Sequence, residues 1–498
     1  MLAFANAGAA AYPGPAPPRS YHPPTAHGDT RTMFPGLPDQ VVAELGKAGI
    51  PIGQFGLFVQ AVDQPLPMLA LNAEQKFVLA STTKVITTLA ALDLLGPAYR
   101  WRTEARLLGE LADGRLDGDL LIVGGGDARL GSDDLLAWFA EMQAQGLREI
   151  RGNIILDRLA FRLTDEDQAL SPRPGPDRPH HNWPDAFSLN DGVLRLRVEP
   201  AAGRPAGLSL QPPLADVTVV NQLRKGRGCM AKAEWLEPAP DARLRQLRVT
   251  GQWGRGCGQH EQPFALLSEG DLTARAVGAL WVKAGGVLEG QVVDPRIGQP
   301  GQAVPPGSRK RPDGTRAFSV RQSARLPQLI REINKYSDNI AARALLLSLS
   351  AGFPGEAATP AAARARLEQW LRTRGLPAGD VEVDNGSGLS RAEQARPRAL
   401  VQLLRQAWHD QRNGRAFVDS LPIAGVDGTL ANRMRDGPAT GRAMLKTGSL
   451  LDVRSVAGYV RSANGRVYAV AALINHPDAP ASTAVLDSVV EWLAQLRR

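Results

Sequence analysis

The sequence predicts an α/β protein that carries a large β-rich insertion. Three observations predict it. Helix-and-strand texture occupies both ends of the 498-residue chain, and the middle is a run of short strand-like segments between Gly and Pro turns. Three polar strings, Ser81-Thr82-Thr83-Lys84, Ser337-Asp338-Asn339 and Lys446-Thr447-Gly448, fall at element boundaries. A chain this long exceeds what one core can serve and is expected to form roughly two to four domains.

Residues 1–37 read as a leader or flexible segment. The stretch 1–7 lacks a positive n-region and a full apolar h-region, and two readings stay open. It is either the tail of an export signal, with small-residue cleavage options at Ala3, Ala5 and Ala7, or an unstructured lead-in. Residues 12–35, rich in Pro and His, are expected to be flexible. Residues 53–72 should form two strands around a turn at Asp63-Gln64-Pro65. A helix is expected from about 81, because Val85, Ile86, Leu89 and Leu92 share one face and Gly96-Pro97 stops it. That places Ser81 at a helix N-terminus with Lys84 one turn on, on the same side.

From about 100 to 310 the expected strands are short: 120–123, 153–156, 193–198, 208–210 and 247–249. Residues 163–185 read as a long polar, Pro-rich loop. Residues 305–313, with Ser308-Arg309-Lys310-Arg311, read as a linker returning the chain to its first domain. Helical spacing resumes at Leu326, Leu329, Ile330 and Ile333 and breaks at Lys335-Tyr336. Ser337-Asp338-Asn339 lies in that break, before a helix through 341–347. Residues 444–447 read as a strand, and 453–460 with 467–474 as an antiparallel pair turning at Asn464-Gly465. A last helix has Val485, Val489, Trp492 and Leu493 on one face.

Hydrophobic content of 43% and charge of 22% fit a soluble globular protein. The net charge of +8 suits an anionic cell-wall or membrane surface, with peripheral association. Nucleic acid is not an expected partner, since only net charge and the Arg309-Lys310-Arg311 linker point to it. No apolar run approaches the roughly eighteen residues that span a bilayer. His180-His181 stands in a Pro-rich loop without zinc-ligand spacing, so neither metal nor cofactor is expected. Cys229 and Cys257 would close a loop worth about 3–4 kcal/mol in an oxidising compartment and would remain two thiols in a reducing one.

Acyl transfer from an amide needs an activated nucleophile, a proton carrier and a site that polarises the oxyanion. Ser81 supplies the hydroxyl, and Lys84 is its general base if burial and the like charge of Lys446 lower its pKa. Ser337 is expected to hydrogen-bond toward Lys84 and relay a proton to the leaving amine. Asn339 is expected to pair with a substrate amide. Lys446 and Thr447 suit a terminal carboxylate, and Gly448 admits a substrate backbone. The N–H groups of Ser81 and Ser449 would form the oxyanion site. Each string alone is commonplace: a helix cap with a solvated lysine, a turn, a strand end. Together, in order and at the right boundaries, they point to chemistry.

The three strings match the S-x-x-K, S-D-N and K-T-G set of penicillin-binding proteins and class A β-lactamases. The first gap, 337 − 81 = 256 residues, selects among them. The chain resembles the D-alanyl-D-alanine carboxypeptidase/endopeptidase family, the low-molecular-mass class C penicillin-binding proteins. Further stretches carry the resemblance: GRLDGDLLIVGGGDARL at 114–130, DNGSGLSR at 384–391 and LPIAGVDGTL at 421–430. It implies a transpeptidase/β-lactamase-like domain, an antiparallel sheet flanked by helices, at 38–100 with 314–498, a β-rich insertion at 101–190 with 270–313, and a small nested domain at 191–269. Peptidoglycan peptides are the implied substrate, β-lactams the implied inhibitors and the periplasm the implied location. Ser81, Lys84, Ser337, Asn339, Lys446 and Thr447 take the motif roles, and Arg391 aligns with a position that assists substrate binding. Asp185, in Asn182-Trp183-Pro184-Asp185-Ala186-Phe187, is the counterpart of an aspartate that approaches the active site. Arg343 stands where the family usually carries an acid. A β-lactamase would have a short first gap and a deacylating Glu, which has no counterpart here. A non-catalytic wall-binding protein would not need all three strings. Carboxypeptidase and endopeptidase action are not separable at this level.

Overall fold

The computed structural model describes residues 36–164, 167, 182–199, 206–226, 228–236, 245–264, 269–294 and 317–497. The leader at 1–35, most of the 163–185 loop and the 305–313 linker lie outside the described residues.

The central sheet joins the two ends of the chain. Its antiparallel order is Ala443–Leu450, Val453–Arg461, Val467–Asn475, Phe55–Ala61, Leu69–Leu71. Both faces are covered, so the period-2 alternation of the strands separates two cores. Leu57, Val59, Val470, Ala472 and Ile474 pack on one side with Val41, Leu45, Val485, Val489 and Leu493. The helices carrying those partners are Asp39–Ala48 and Thr483–Gln495. Phe58, Ala457, Tyr459, Ala469, Ala471 and Leu473 face the other core, against Val85, Ile330, Leu345 and Leu400. The helix Thr83–Leu95 lies wholly inside that second core, buried at every position from Thr83 to Leu92.

Two helices meet at the S-D-N string. Leu326–Tyr336 ends with Ser337 in the left-handed region (φ 60, ψ 38), which turns the chain sharply. Asp338 then caps Asn339–Leu347 by accepting the Ala341 N–H at 3.0 Å.

The inserted region holds a seven-stranded mixed sheet. Its hairpin Arg102–Ala112/Arg115–Val123 is extended by Glu149–Ile150, Ile154–Asp157, Val287–Leu288, Val292–Val293 and Ser319–Gln322. The last of these, on the far side of the boundary expected at 314, pairs with Arg102–Ala112. Two helices absent from the strand-only reading, Ser132–Ala144 and Glu269–Lys283, cover this sheet. They form because Leu135, Trp138, Phe139 and Met142 stand at i, i+3, i+4, i+7 and bury against Val277, Leu280 and Trp281. Two three-stranded sheets lie further out, Leu194–Glu199 with Gly207–Gln211 and His260–Phe264, and Val217–Arg224 with Cys229–Leu236 and Arg245–Trp253. A disulfide joins Cys229 to Cys257 there. Among the described residues no helix is long and apolar enough to cross a membrane.

Candidate active site

Ser81 does not sit on the α-helix itself. It occupies a single 3₁₀ turn, Ala80–Thr82, entered through Ala80 at φ 48, and the α-helix starts at Thr83. Two glycines hold this turn by close approach. A Cβ on Gly388 would stand 2.1 Å from Ala80 O, and one on Gly448 would stand 2.7 Å from Leu79 O and 2.9 Å from Ser81 N. Ser455 Oγ donates to Leu79 O at 2.7 Å from the neighbouring strand. The serine is thus wedged between the K-T-G strand and the 385–388 loop, with its N–H on the strand side.

Lys84 is fully buried. Its Nζ donates to Ser81 Oγ at 3.0 Å, to Asn339 Oδ1 at 2.7 Å and to the carbonyl of Ser387. Burial lowers its pKa to about 7, against the pull of the Glu393 and Asp338 carboxylates, while the Arg343 cation adds to the lowering. An uncharged Lys84 keeps two N–H bonds, to Asn339 and Ser387, and turns its lone pair toward the Ser81 hydroxyl. That arrangement is suited to taking a proton from Ser81.

Lys446, equally buried, donates to Ser337 Oγ at 3.0 Å and to Thr447 O at 2.8 Å. Burial, then the charge of Lys84, holds its pKa well below the ordinary lysine range. Thr447 Oγ1 donates to Thr429 Oγ1 at 2.8 Å.

The structure therefore brings Ser81, Lys84, Ser337, Asn339, Lys446, Thr447 and Gly448 into one cleft, with Ser449 exposed on the same strand. Two partners are exchanged relative to expectation: Ser337 bonds Lys446, and Asn339 takes the place beside Lys84. Arg391 is half exposed and engages Asp452 at 2.8 Å. Asp185 is placed otherwise than expected. Its carboxylate is buried, accepting from Arg158 Nε at 2.7 Å and from the Phe187 N–H at 2.8 Å. The same segment reaches the catalytic side through its neighbours instead. Asn182 O accepts from Arg343 Nη1 at 3.1 Å, and the Arg343 guanidinium lies 4.9 Å over the Trp183 ring. Arg343 thus fills its position as an anchor for the insertion.

Several participants were not picked out beforehand. Ser387 contributes only a carbonyl. Thr429 lay unassigned within LPIAGVDGTL. Arg129 of the insertion donates to Asp338 at 3.1 Å, tying the S-D-N turn to the inserted sheet. Glu393 is a fully buried carboxylate behind the 385–388 loop. Among the described residues no group of three or more His, Cys, Asp or Glu side chains is arranged to hold a metal ion.

A helix-flanked antiparallel sheet with a buried Ser–Lys pair, a facing Ser–Lys pair and a K-T-G edge strand defines an acylating serine hydrolase of the penicillin-binding class. The chain belongs to the D-Ala-D-Ala carboxypeptidase 3 (S13) family, whose model matches residues 39–496. It is 30% identical over 436 residues to the D-alanyl-D-alanine carboxypeptidase of Actinomadura sp. (strain R39), covering 84% of this chain and 76% of that one. The D-alanyl-D-alanine carboxypeptidase DacB of Haemophilus influenzae is 24% identical, over 84% of this chain and 85% of its own. Crystal structures of penicillin-binding protein 4 from Haemophilus influenzae share the fold. One matches with a TM-score of 0.69 at 22% identity, covering 92% of this chain and 100% of that one. Another, complexed with a β-lactam, matches with a TM-score of 0.66.

Proposed function

We propose that the protein cleaves D-alanyl bonds of peptidoglycan peptides through an acyl-enzyme on Ser81, as a carboxypeptidase, an endopeptidase or both. The observation that carries this reading is the buried Lys84 Nζ, 3.0 Å from Ser81 Oγ and with its pKa lowered to about 7. Lys84 accepts the Ser81 proton as Oγ attacks the D-alanyl carbonyl, and the N–H groups of Ser81 and Ser449 hold the oxyanion. The C–N bond then breaks as the proton held by Lys84 is relayed through Ser337, backed by Lys446, to the departing amine, which leaves Lys84 neutral again. Water, deprotonated by Lys84, hydrolyses the ester and returns free Ser81. Asn339, whose Oδ1 is taken by Lys84, offers its amide N–H to a substrate carbonyl. Thr447 and Lys446 favour a terminal carboxylate. β-Lactams acylate the same serine.

The disulfide and a wall substrate support a periplasmic place of action. The insertion borders the cleft at Arg129 and Trp183, which supports a part for it in substrate choice.

A labelled penicillin should attach covalently to the purified protein, and Ser81→Ala should abolish the label. Undiminished labelling of that variant would sink the assignment. Measuring D-alanine release from a pentapeptide, and cleavage of a cross-linked dimer, separates the two activities.

A further inference from the structure

The site uses a carboxylate that none of the three strings contains. Glu393 is fully buried behind the Ser81 turn, and its carboxylate accepts three backbone N–H bonds. Oε1 takes those of Asn385 at 3.1 Å and Gly386 at 2.6 Å, and Oε2 takes that of Gly388 at 2.5 Å. The Glu393 carbonyl also accepts the Leu79 N–H at 3.0 Å, two residues before Ser81. One carboxylate therefore closes the 385–388 loop around itself.

The bond to Gly388 matters most. The Gly388 N–H and the Ser387 C=O are the two ends of one planar peptide group. That carbonyl accepts from Lys84 Nζ. Carboxylate, peptide and amine form a continuous line, with the peptide dipole aligned to favour a negative Glu393 and a positive Lys84. Such chains strengthen each other's bonds in a dry interior. The peptide is boxed in as well, since a Cβ on Gly388 would strike Ala80 O at 2.1 Å.

We propose that Glu393 is a positioning residue for Lys84, acting through the Ser387–Gly388 peptide group to fix Nζ and to set the pH at which it releases its proton. Burial pushes the Glu393 carboxyl up to about 7, with Asp384 adding to the rise and Lys84 opposing it. Lys84 in turn feels Glu393, Asp338 and Arg343, and Lys446 lies across from it. Arg343 lies in the field of both Glu393 and Asp384. The charge of each therefore bears on the titration of the other.

The inference rests on the reading of Ser81 and Lys84 as the acylating pair. Its test is the rate of labelled-penicillin acylation against pH, in the full chain, for wild type, Glu393→Gln and Glu393→Asp. Gln keeps the size but removes the charge and leaves an NH2 facing one of the loop N–H donors. It should lower the plateau rate by about 10–100-fold, as expected for a misplaced base, and move the acidic limb to lower pH. Asp keeps the charge, so its limb should stay near the wild-type position while its plateau falls. A Glu393→Gln profile identical to wild type overturns the proposal. So does a lower plateau with an unmoved limb, the outcome of a merely structural residue. If Glu393→Gln does not fold, the Glu393 carboxyl can be titrated by carbon NMR in wild type and in Lys84→Met. Its midpoint should rise when Lys84 is lost, and an unmoved midpoint overturns the coupling. Label surviving in Ser81→Ala would instead overturn the underlying assignment and leave the Glu393 result to be read separately.

Discussion

Arg158 in the inserted sheet and Lys84 in the cleft are both fully buried cations, and their surroundings differ in kind. Arg158 meets Asp185 at 2.7 Å and Asp294 at 2.8 Å, two carboxylates in direct contact. Lys84 makes no ion pair among the described residues and meets only neutral oxygens, with Glu393 one peptide group away. Direct pairing stabilises a buried charge and leaves it inert. Withholding the partner leaves the cation poised to lose its proton. The same physics therefore makes an internal strut in one place and, in the other, an amine fit to serve as the base proposed above.

Substitutions can break this contrast. Lys84→Ala should cost the most, slowing penicillin acylation by about a thousandfold through loss of the base while the fold persists; stopped-flow or gel-based labelling measures it. Arg158→Met removes the cation between two buried carboxylates and should lower stability by about 3–5 kcal/mol in urea unfolding, with labelling of the folded fraction unchanged. A loss of reactivity matching that of Lys84→Ala would erase the distinction. The pH dependence comes next. Lys84 reacts uncharged and its pKa lies at about 7, so acylation should rise with pH through that value. Below it the rate should fall about tenfold per unit, leaving roughly one per cent of the amine neutral two units down. A rate flat from pH 5 to 8 would refute an amine base. Arg391→Ala should matter least for stability: it loosens an exposed pair with Asp452, worth below about 1 kcal/mol, so the urea midpoint should barely move.

The cleft was legible in sequence to the extent that its chemistry resides in side chains. Ser81, Lys84, Ser337, Asn339, Lys446 and Thr447 are conspicuous because few residue types can do what they do. Which of them touch was less legible. Ser337 and Asn339 lie two residues apart, and the left-handed Ser337 followed by the Asp338 cap sends their side chains to different lysines. Ser387 was invisible because a carbonyl carries no residue identity. Glu393 looked like any charge beside Arg391 until the loop folded around it. The setting of Asp185 was hidden for a related reason: its partner Arg158 lies 27 residues away and is shared with Asp294, so nothing local announced the pairing. The helices Ser132–Ala144 and Glu269–Lys283 did leave a periodic signal, overshadowed by the strand-like runs around them.

The central sheet also sets a timetable. Its strand Phe55–Ala61 pairs on one side with the nearby Leu69–Leu71, but its other neighbour is Val467–Asn475, with Leu57 opposite Ala472, a separation of 472 − 57 = 415 residues. The inserted sheets are complete once the chain has passed Gln322. Contacts of such long range form slowly, and domains tend to consolidate as they emerge during synthesis. The insertion is therefore ready first, and Ser81 waits for the K-T-G strand that walls its turn. A half-made chain holds Ser81 and Lys84 but lacks the strand Ala443–Leu450 that encloses them.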